Sequence, residues 1–169
     1  MNETNTQQAL TDKQEITELI YSYCRSVDRL DIPLGHSIWH DDGVADYGAA
    51  FYQGPGKGSI DAICASHLNL LHHSHQISNI RIDLDGDRAS SESYVTATLR
   101  AMNNGQLMQM GVWARYLDKW SRRNGRWGLD SRIALTDFDE IRPATSMGGG
   151  ALAKRDKTDP SYAVLKNQS

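Results

Sequence analysis

Apolar side chains recur at Ile16, Leu19, Ile20, Tyr23, Val27 and Leu30. Spacings of three and four predict an amphipathic helix over residues 12–31. Thr11 and Gln14, three positions apart, read as a capping box that starts it. Pro33 ends the periodicity, and "PLGHSIWHDD" predicts a short second helix closing near Gly43. "VADYG" reads as a short strand and "FYQGPGKG" as a turn on Gly54, Pro55, Gly56 and Gly58. "SIDAICASHLNLL" predicts a third helix with Ile60, Ile63, Cys64, Leu68 and Leu71 on one face.

After residue 75 the period drops to two. "HQISNIRIDLD", "RASSESYVTATLRAM", "QLMQMGVWARYLDKWSRR" and "RWGLDSRIALTDF" are strand candidates, joined by "DGD", "NNG" and "RNG". Such short Gly-containing connections are hairpin signals. Helices followed by a run of antiparallel strands give an α+β fold, with the helices packed on one face of a sheet. The third long strand carries Val112, Tyr116 and Trp120 on one parity and Trp113 on the other. Large apolar residues on both faces imply cover on both. Residues 1–143 read as one domain. Residues 144–169 read as a polar extension, loosely attached, with Gly148, Gly149 and Gly150 as its hinge.

Composition narrows the classes. The chain has 169 residues and a formal net charge of -3, with no basic face, which argues against nucleic acid as a partner. No apolar run is long enough for a bilayer, so a membrane is not an expected partner either. The first residues lack the basic-then-apolar pattern of an export signal. With no such signal, Cys24 and Cys64 read as buried thiols, and the expected location is the cytoplasm.

The candidate chemistry lies in two places. Asp28 follows Ile20 and Cys24 at four-residue steps, so it faces the sheet side of the first helix. The alternative is a surface pair with Arg25 or Arg29. Three of the six histidines, His72, His73 and His75, fall together. They could be metal ligands, a base, or polar residues at a helix end. If extended, His73 and His75 share one face and His72 takes the other. No glutamate follows them, so a metal site is not expected. "GPGKG" lacks the spacing of a phosphate loop, and no organic cofactor is expected either.

The ordered set "VDRLD", "SIWHDD", "YQGP", "HQISNIRI" and "GRWGLDSR" resembles the SnoaL-like branch of the nuclear-transport-factor-2-like superfamily over residues 12–140. Hexachlorocyclohexane dehydrochlorinase and scytalone dehydratase are similar in pattern. The resemblance implies a cone of helices against a curved sheet, with a deep pocket inside. It implies that His75 is the base and that Asp28 orients and polarises it. It also implies that Arg132 assists the leaving group, the alternative being a salt bridge to Asp130 or Asp137. Where the dehydrochlorinase pattern has a lysine, this chain has Tyr23, a neutral hydroxyl suited to oxygen chemistry or simply a core ring. Under the same resemblance Trp39, Tyr47, Met110, Trp113 and Phe138, with Phe51, Tyr52 and Met108, border the pocket. His72 and His73 are left to the helix end.

The function so implied is a cofactor-independent lyase. It would carry out base-assisted elimination on a small, largely aromatic substrate, by dehydration or by formaldehyde-releasing carbon–carbon cleavage of a lignin-type diarylpropane. The alternatives are a non-catalytic ligand-binding or subunit protein of the same fold, a dehydrochlorinase, or an isomerase. The resemblance also implies a homo-oligomer, dimer or trimer, joined through the outer face of the sheet. The extension would then reach a neighbour or cover the pocket mouth.

Overall fold

The structure, a computed structural model, describes residues 3–149 and 153–165. Its elements are α1 (Glu3–Asp28), α2 (Ile32–Ile38), β1 (Trp39–Asp46), β2 (Gln53–Pro55), α3 (Gly56–His67), β3 (His72–Asp85), β4 (Arg88–Asn103), β5 (Gln106–Arg123), β6 (Arg126–Pro143) and α4 (Ser161–Val164). The six strands form one curved, unclosed sheet in the order β2-β1-β6-β5-β4-β3. Every neighbouring pair is antiparallel except β1 with β6. The fold class is α+β, and the buried face of α1 is the one the periodicity marks out, with Ile16, Ile20, Tyr23 and Val27 nearly inaccessible.

Hairpin chemistry sets the registers. Asn104–Gly105 and Asn124–Gly125 all have positive φ, between 49° and 80°, as a two-residue turn matched to strand twist requires. The register carries two bulges on β6. Asp130 falls between the pairs Lys119↔Ser131 and Trp120↔Leu129, and Asp137 between Trp113↔Phe138 and Ala114↔Thr136. Each inserted residue changes which parity points inward.

Several boundaries differ from the sequence reading. Helix α1 begins at Glu3 rather than near residue 12, so Thr11 caps nothing; its hydroxyl donates to the Gln7 carbonyl at 3.1 Å. Gln14 bonds Glu18 on the helix surface. Residues 3–11 are polar apart from Ala9 and Leu10 and carry no apolar stripe, but they contain nothing that stops a helix. Pro33 sits in the first turn of α2, where its missing N–H is not needed, and Asp31 caps that helix through the Leu34 N–H. Trp39 to Asp42 belong to β1, not to α2. Leu68 and Leu71 lie beyond α3 and are exposed. His72 and His73 open β3 instead of ending a helix, because the chain already pairs with β4 there, His72↔Arg100.

The extension is not loose where it is described. Asp159 accepts from the backbone N–H groups of Lys154 and Ser161 and from the Ser161 hydroxyl, folding the segment on itself. Arg155 donates to the His67 carbonyl at 2.7 Å, at the end of α3. Lys157 and the Tyr162 hydroxyl both reach Asp31, at the junction of α1 and α2. The segment thus packs on the helix ends of its own chain. Of the hinge glycines, Gly150 lies outside the described residues.

Asp12 fastens the N-terminal half of α1 to the sheet. Its carboxylate, 4% exposed as a residue, accepts from Arg122, from the indole N–H of Trp127 and from Gln8. Burial alone would raise its pKa, but the hydrogen bonds from Trp127, Gln8 and Arg122 outweigh it and hold the carboxyl below the usual range. The folded pKa is therefore lower than the unfolded one. The stabilisation is present above the unfolded value and is lost as pH falls through the folded one. Asp12→Asn is expected to cost about 2 kcal/mol in urea melts at neutral pH. The gap from the parent should narrow as the medium is acidified below about pH 4. A gap that stays constant with pH would show that the charge is not the source.

Candidate active site

Asp28 is the last residue of α1, and Leu30 just beyond it takes φ of 51°, turning the chain toward α2. The carboxylate faces β3. The His75 backbone N–H donates to Asp28 Oδ2 at 3.0 Å, and the ring Nδ1 bonds Oδ1 at 2.7 Å. A carboxylate only accepts, so Nδ1 carries a proton, and in the neutral ring Nε2 is the nitrogen that presents a lone pair. Both side chains are largely enclosed, His75 8% and Asp28 14% exposed. Cross-strand register puts His75 on the helix-bearing face, opposite Ala97 of β4.

Two more histidines surround this pair. The His67 ring, at the end of α3, stacks on His75 with centroids 5.7 Å apart and lies 4.5 Å from His73. His73 Nε2 donates to the Val27 carbonyl at 2.9 Å, which fixes its tautomer. Burial, reinforced by the neighbouring rings, pushes the His67 pKa down to about 3. Burial also lowers that of His73. Of these three rings, only His75 has a carboxylate partner, and the other two stay neutral around it. No three His, Cys, Asp or Glu side chains among the described residues are arranged to hold a metal ion.

A second polar cluster lies in the core. Arg132 of β6 is 1% exposed and forks onto Asp118 of β5, Nε to Oδ1 at 2.8 Å and Nη2 to Oδ2 at 2.7 Å. Its guanidinium lies over the rings of Tyr23 and Tyr116, at 4.2 and 4.0 Å. The Tyr23 and Tyr47 hydroxyls are 2.7 Å apart. The third guanidinium nitrogen, Nη1, is buried with no hydrogen-bond partner among the described residues. Burial would lower the arginine's pKa, but Asp118 overrides it and raises it well above the usual range. Burial raises those of Tyr23 and Tyr116, so both remain neutral hydroxyls. Cys24 lies within electrostatic reach of Arg132, Asp28 and Asp118; burial pushes its thiol up to about 12, which makes it inert.

Arg132 therefore pairs with neither Asp130 nor Asp137. Those two are the bulge residues; Asp130 binds Arg123 and Asp137 binds Arg115. The first bulge also separates Asp130 from the inward face that strict alternation would give it with Gly128 and Arg132.

The expected lining residues divide. Tyr47 touches Tyr23, and Phe51 packs edge-on against Tyr47 at 6.2 Å. Trp39 is 1% exposed and lies where a Cβ on Gly56 would collide with its ring, so it is core. Trp113 and Phe138 stack on each other, centroids 4.8 Å apart, on the outer face, away from Tyr116 and Arg132. Met110 is on the inward face: the row His73↔Leu99↔Met110↔Ile141 crosses the sheet beside the row His75↔Ala97↔Val112. Ile141, 69% exposed, marks where that face emerges from under the helices. A surface hollow of about 920 Å³ lies at the hairpin tips around Asp83, Asp87, Lys119 and Arg122, apart from the His75–Asp28 pair.

Sequence reasoning missed His67, Asp118 and Tyr116 as members of these clusters. His67 continues the Ile60, Ile63, Cys64 stripe at the same helical spacing. Asp118 lies between Tyr116 and Trp120 on the inward parity of β5, and a charge on an apolar face is the signal that could have found it.

The chain matches the model of the SnoaL-like domain over residues 8–133. No curated protein matches it in sequence. Among solved structures, a candidate scytalone dehydratase from Novosphingobium aromaticivorans is 19% identical with a TM-score of 0.70, over 86% of this chain and 99% of its own. A hexachlorocyclohexane dehydrochlorinase, LinA-type3, from Novosphingobium barchaimii is 19% identical with a TM-score of 0.68, over 85% of this chain and 97% of its own. The Kfla4162 protein from Kribbella flavida is 22% identical with a TM-score of 0.69, over 78% of this chain and 95% of its own. At these identities the likeness is one of fold. The domain match spans well over half of the residues and agrees with the helix order, the sheet and the cone-like arrangement: the chain belongs to the SnoaL-like domain family.

Proposed function

We propose that this protein is a lyase that works without a cofactor, by base-assisted elimination on a small, largely aromatic molecule. The observation that carries the reading is the double hydrogen bond from His75 to Asp28, which fixes one imidazole tautomer and aims Nε2 away from the carboxylate. A protein that only bound its ligand would have no use for a base so oriented. The fold shared with a dehydrochlorinase and a candidate dehydratase supports the reaction class by analogy only.

In a dehydration, Nε2 takes a proton from carbon, and that C–H electron pair becomes the new double bond. The C–O electrons leave with the oxygen. Asp28 stabilises the imidazolium, which returns its proton to form water. The Tyr23–Tyr47 hydroxyl pair and the unpaired Nη1 of Arg132 supply neutral and charged donors for the departing oxygen. In the diarylpropane version the same base takes the proton of a terminal hydroxyl. The carbon–carbon bond then breaks to formaldehyde, and its electron pair forms the stilbene double bond as a benzylic hydroxyl departs. The apolar row Leu99, Met110 and Ile141 with Val112 beside His75 suits an aromatic ring. Hydroxyls in place of a lysine at Tyr23 favour oxygen over halide departure.

We also propose that the protein is a homo-oligomer, dimer or trimer. On the outer face Tyr94, Ile133, Leu135 and Phe138 are 39–59% exposed around the stacked Trp113. They flank Arg115 with Glu92 and Asp137 on the same face, and a mixed apolar and charged surface of this kind suits contact with a second copy.

The test is a panel of aromatic alcohols and a 1,2-diarylpropane-1,3-diol, assayed without added cofactor for water loss or for formaldehyde with stilbene absorbance. Turnover should be indifferent to a chelator; loss on chelation with recovery on adding one metal would overturn the cofactor-free mechanism. His75→Ala should lower kcat by about 10³-fold, and Asp28→Asn by about 10²-fold, with unchanged far-UV circular dichroism. Retained turnover in His75→Ala would remove the base. Light scattering at micromolar concentration should give a dimer or trimer mass, and a monomer would refute the assembly.

A further inference from the structure

Asp28 has cations close at hand on its own helix. Arg25 lies three residues earlier, the spacing at which helix side chains meet, and Arg29 is the next residue. Neither makes a side-chain bond to the Asp28 carboxylate. Arg25 Nη1 donates to the Ser161 hydroxyl at 3.1 Å, and its guanidinium lies 4.5 Å over the Tyr162 ring. Arg29 Nε is 3.5 Å from Asp159 Oδ1, and its Nη1 reaches only the backbone carbonyl of Asp28. The side-chain partners of both arginines come from the C-terminal segment. That segment is itself anchored beside the site by Arg155 on the His67 carbonyl and by Lys157 and Tyr162 on Asp31.

We propose that Ser161 and Tyr162 are positioning residues of the site: by holding Arg25 they keep its guanidinium off Asp28, so both carboxylate oxygens remain on His75. Asp159 does the same for Arg29. A carboxylate shared with an arginine would give up part of its hold on the imidazole, because an ionised fork competes directly for the same lone pairs. His75 would then sample the other tautomer, with the proton on Nε2, and that form has no lone pair to offer a substrate. The consequence for turnover rests on the reading of His75 as the base. The hydrogen-bond geometry does not, and it can be measured with no substrate present.

The experiment uses the full chain with ¹⁵N-labelled histidine. In the parent, the His75 ring nitrogens should report a single tautomer with the proton on Nδ1. In Ser161→Ala/Tyr162→Ala the Nδ1–H population should fall and its exchange with water should quicken. Where turnover is found, kcat/KM should drop by about tenfold, the scale seen when an orienting partner is lost. Adding Arg25→Gln to that variant should restore both the tautomer signature and the rate. A merely structural tail would not be rescued by deleting an arginine. Tyr162→Leu with Ser161 intact, and its combination with Arg25→Gln, repeat the measurement should the double variant fail to fold. An unchanged His75 signature in the tail variants, or no rescue by Arg25→Gln, overturns the proposal. A signature that is disturbed in the tail variants and restored by Arg25→Gln, with no turnover on any substrate, overturns the lyase reading instead and leaves this one standing.

Discussion

A buried charge must be answered, and the centre of this molecule is arranged around that demand. Arg132 has lost its water entirely. Asp118 accepts two hydrogen bonds from it, and the faces of Tyr23 and Tyr116 complete the enclosure. Desolvating such a pair is expensive, and its mutual attraction does not guarantee a net gain. Removing one member is another matter, since an uncompensated ion in the core costs about 3–5 kcal/mol. The pair therefore fixes β5 against β6 and sets Tyr23 of α1 over both. With the Asp12 bonds to Arg122 and Trp127, that contact sets where α1, and so Asp28 at its end, sits on the sheet.

The two polar clusters divide the chemistry by environment. At the helix end, a carboxylate and an imidazole remain partly reachable and can exchange a proton. In the core, burial keeps the tyrosines neutral and Asp118 keeps the arginine charged, so that cluster donates hydrogen bonds without itself changing protonation. Cys24 is within electrostatic reach of both, and burial keeps its thiol protonated. One fold can thus hold a partly exposed carboxylate–imidazole pair and a buried arginine–tyrosine cluster without the two neutralising each other.

Much of this was legible in the residues because local rules and tertiary packing agree. The three-and-four stripe of α1 did become its buried face, and the Asn-Gly pairs did become the hairpin turns. Asp28 pointed toward the sheet, and His75 took the face it shares with His73. What was not legible came from features with no local signature. The start of α1 is a polar stretch with no stripe to mark it. The bulges at Asp130 and Asp137 shift parity, so the counting that should have shown Arg132 its partner failed there. Trp113 and Phe138 were grouped by residue type, whereas register places them on the outer face. The triple glycine suggested looseness, but the residues beyond it contain an aspartate, Asp159, that organises its own turn and a set of side chains matched to the helix ends.

The sheet also carries an order of assembly in its connections. Strands β3 to β6 follow one another through two-residue turns, so their pairing closes only short loops. β1 joins β6 in parallel, bringing Trp39 beside Leu129 from far away in the chain. Loop-closure entropy and contact order put that step late. Until it occurs, β6 presents a long unpaired edge, and Trp39, Trp127 and Leu129 have no common interior to enter. That interval, rather than the finished fold, is when the chain is most open to pairing with another copy of itself.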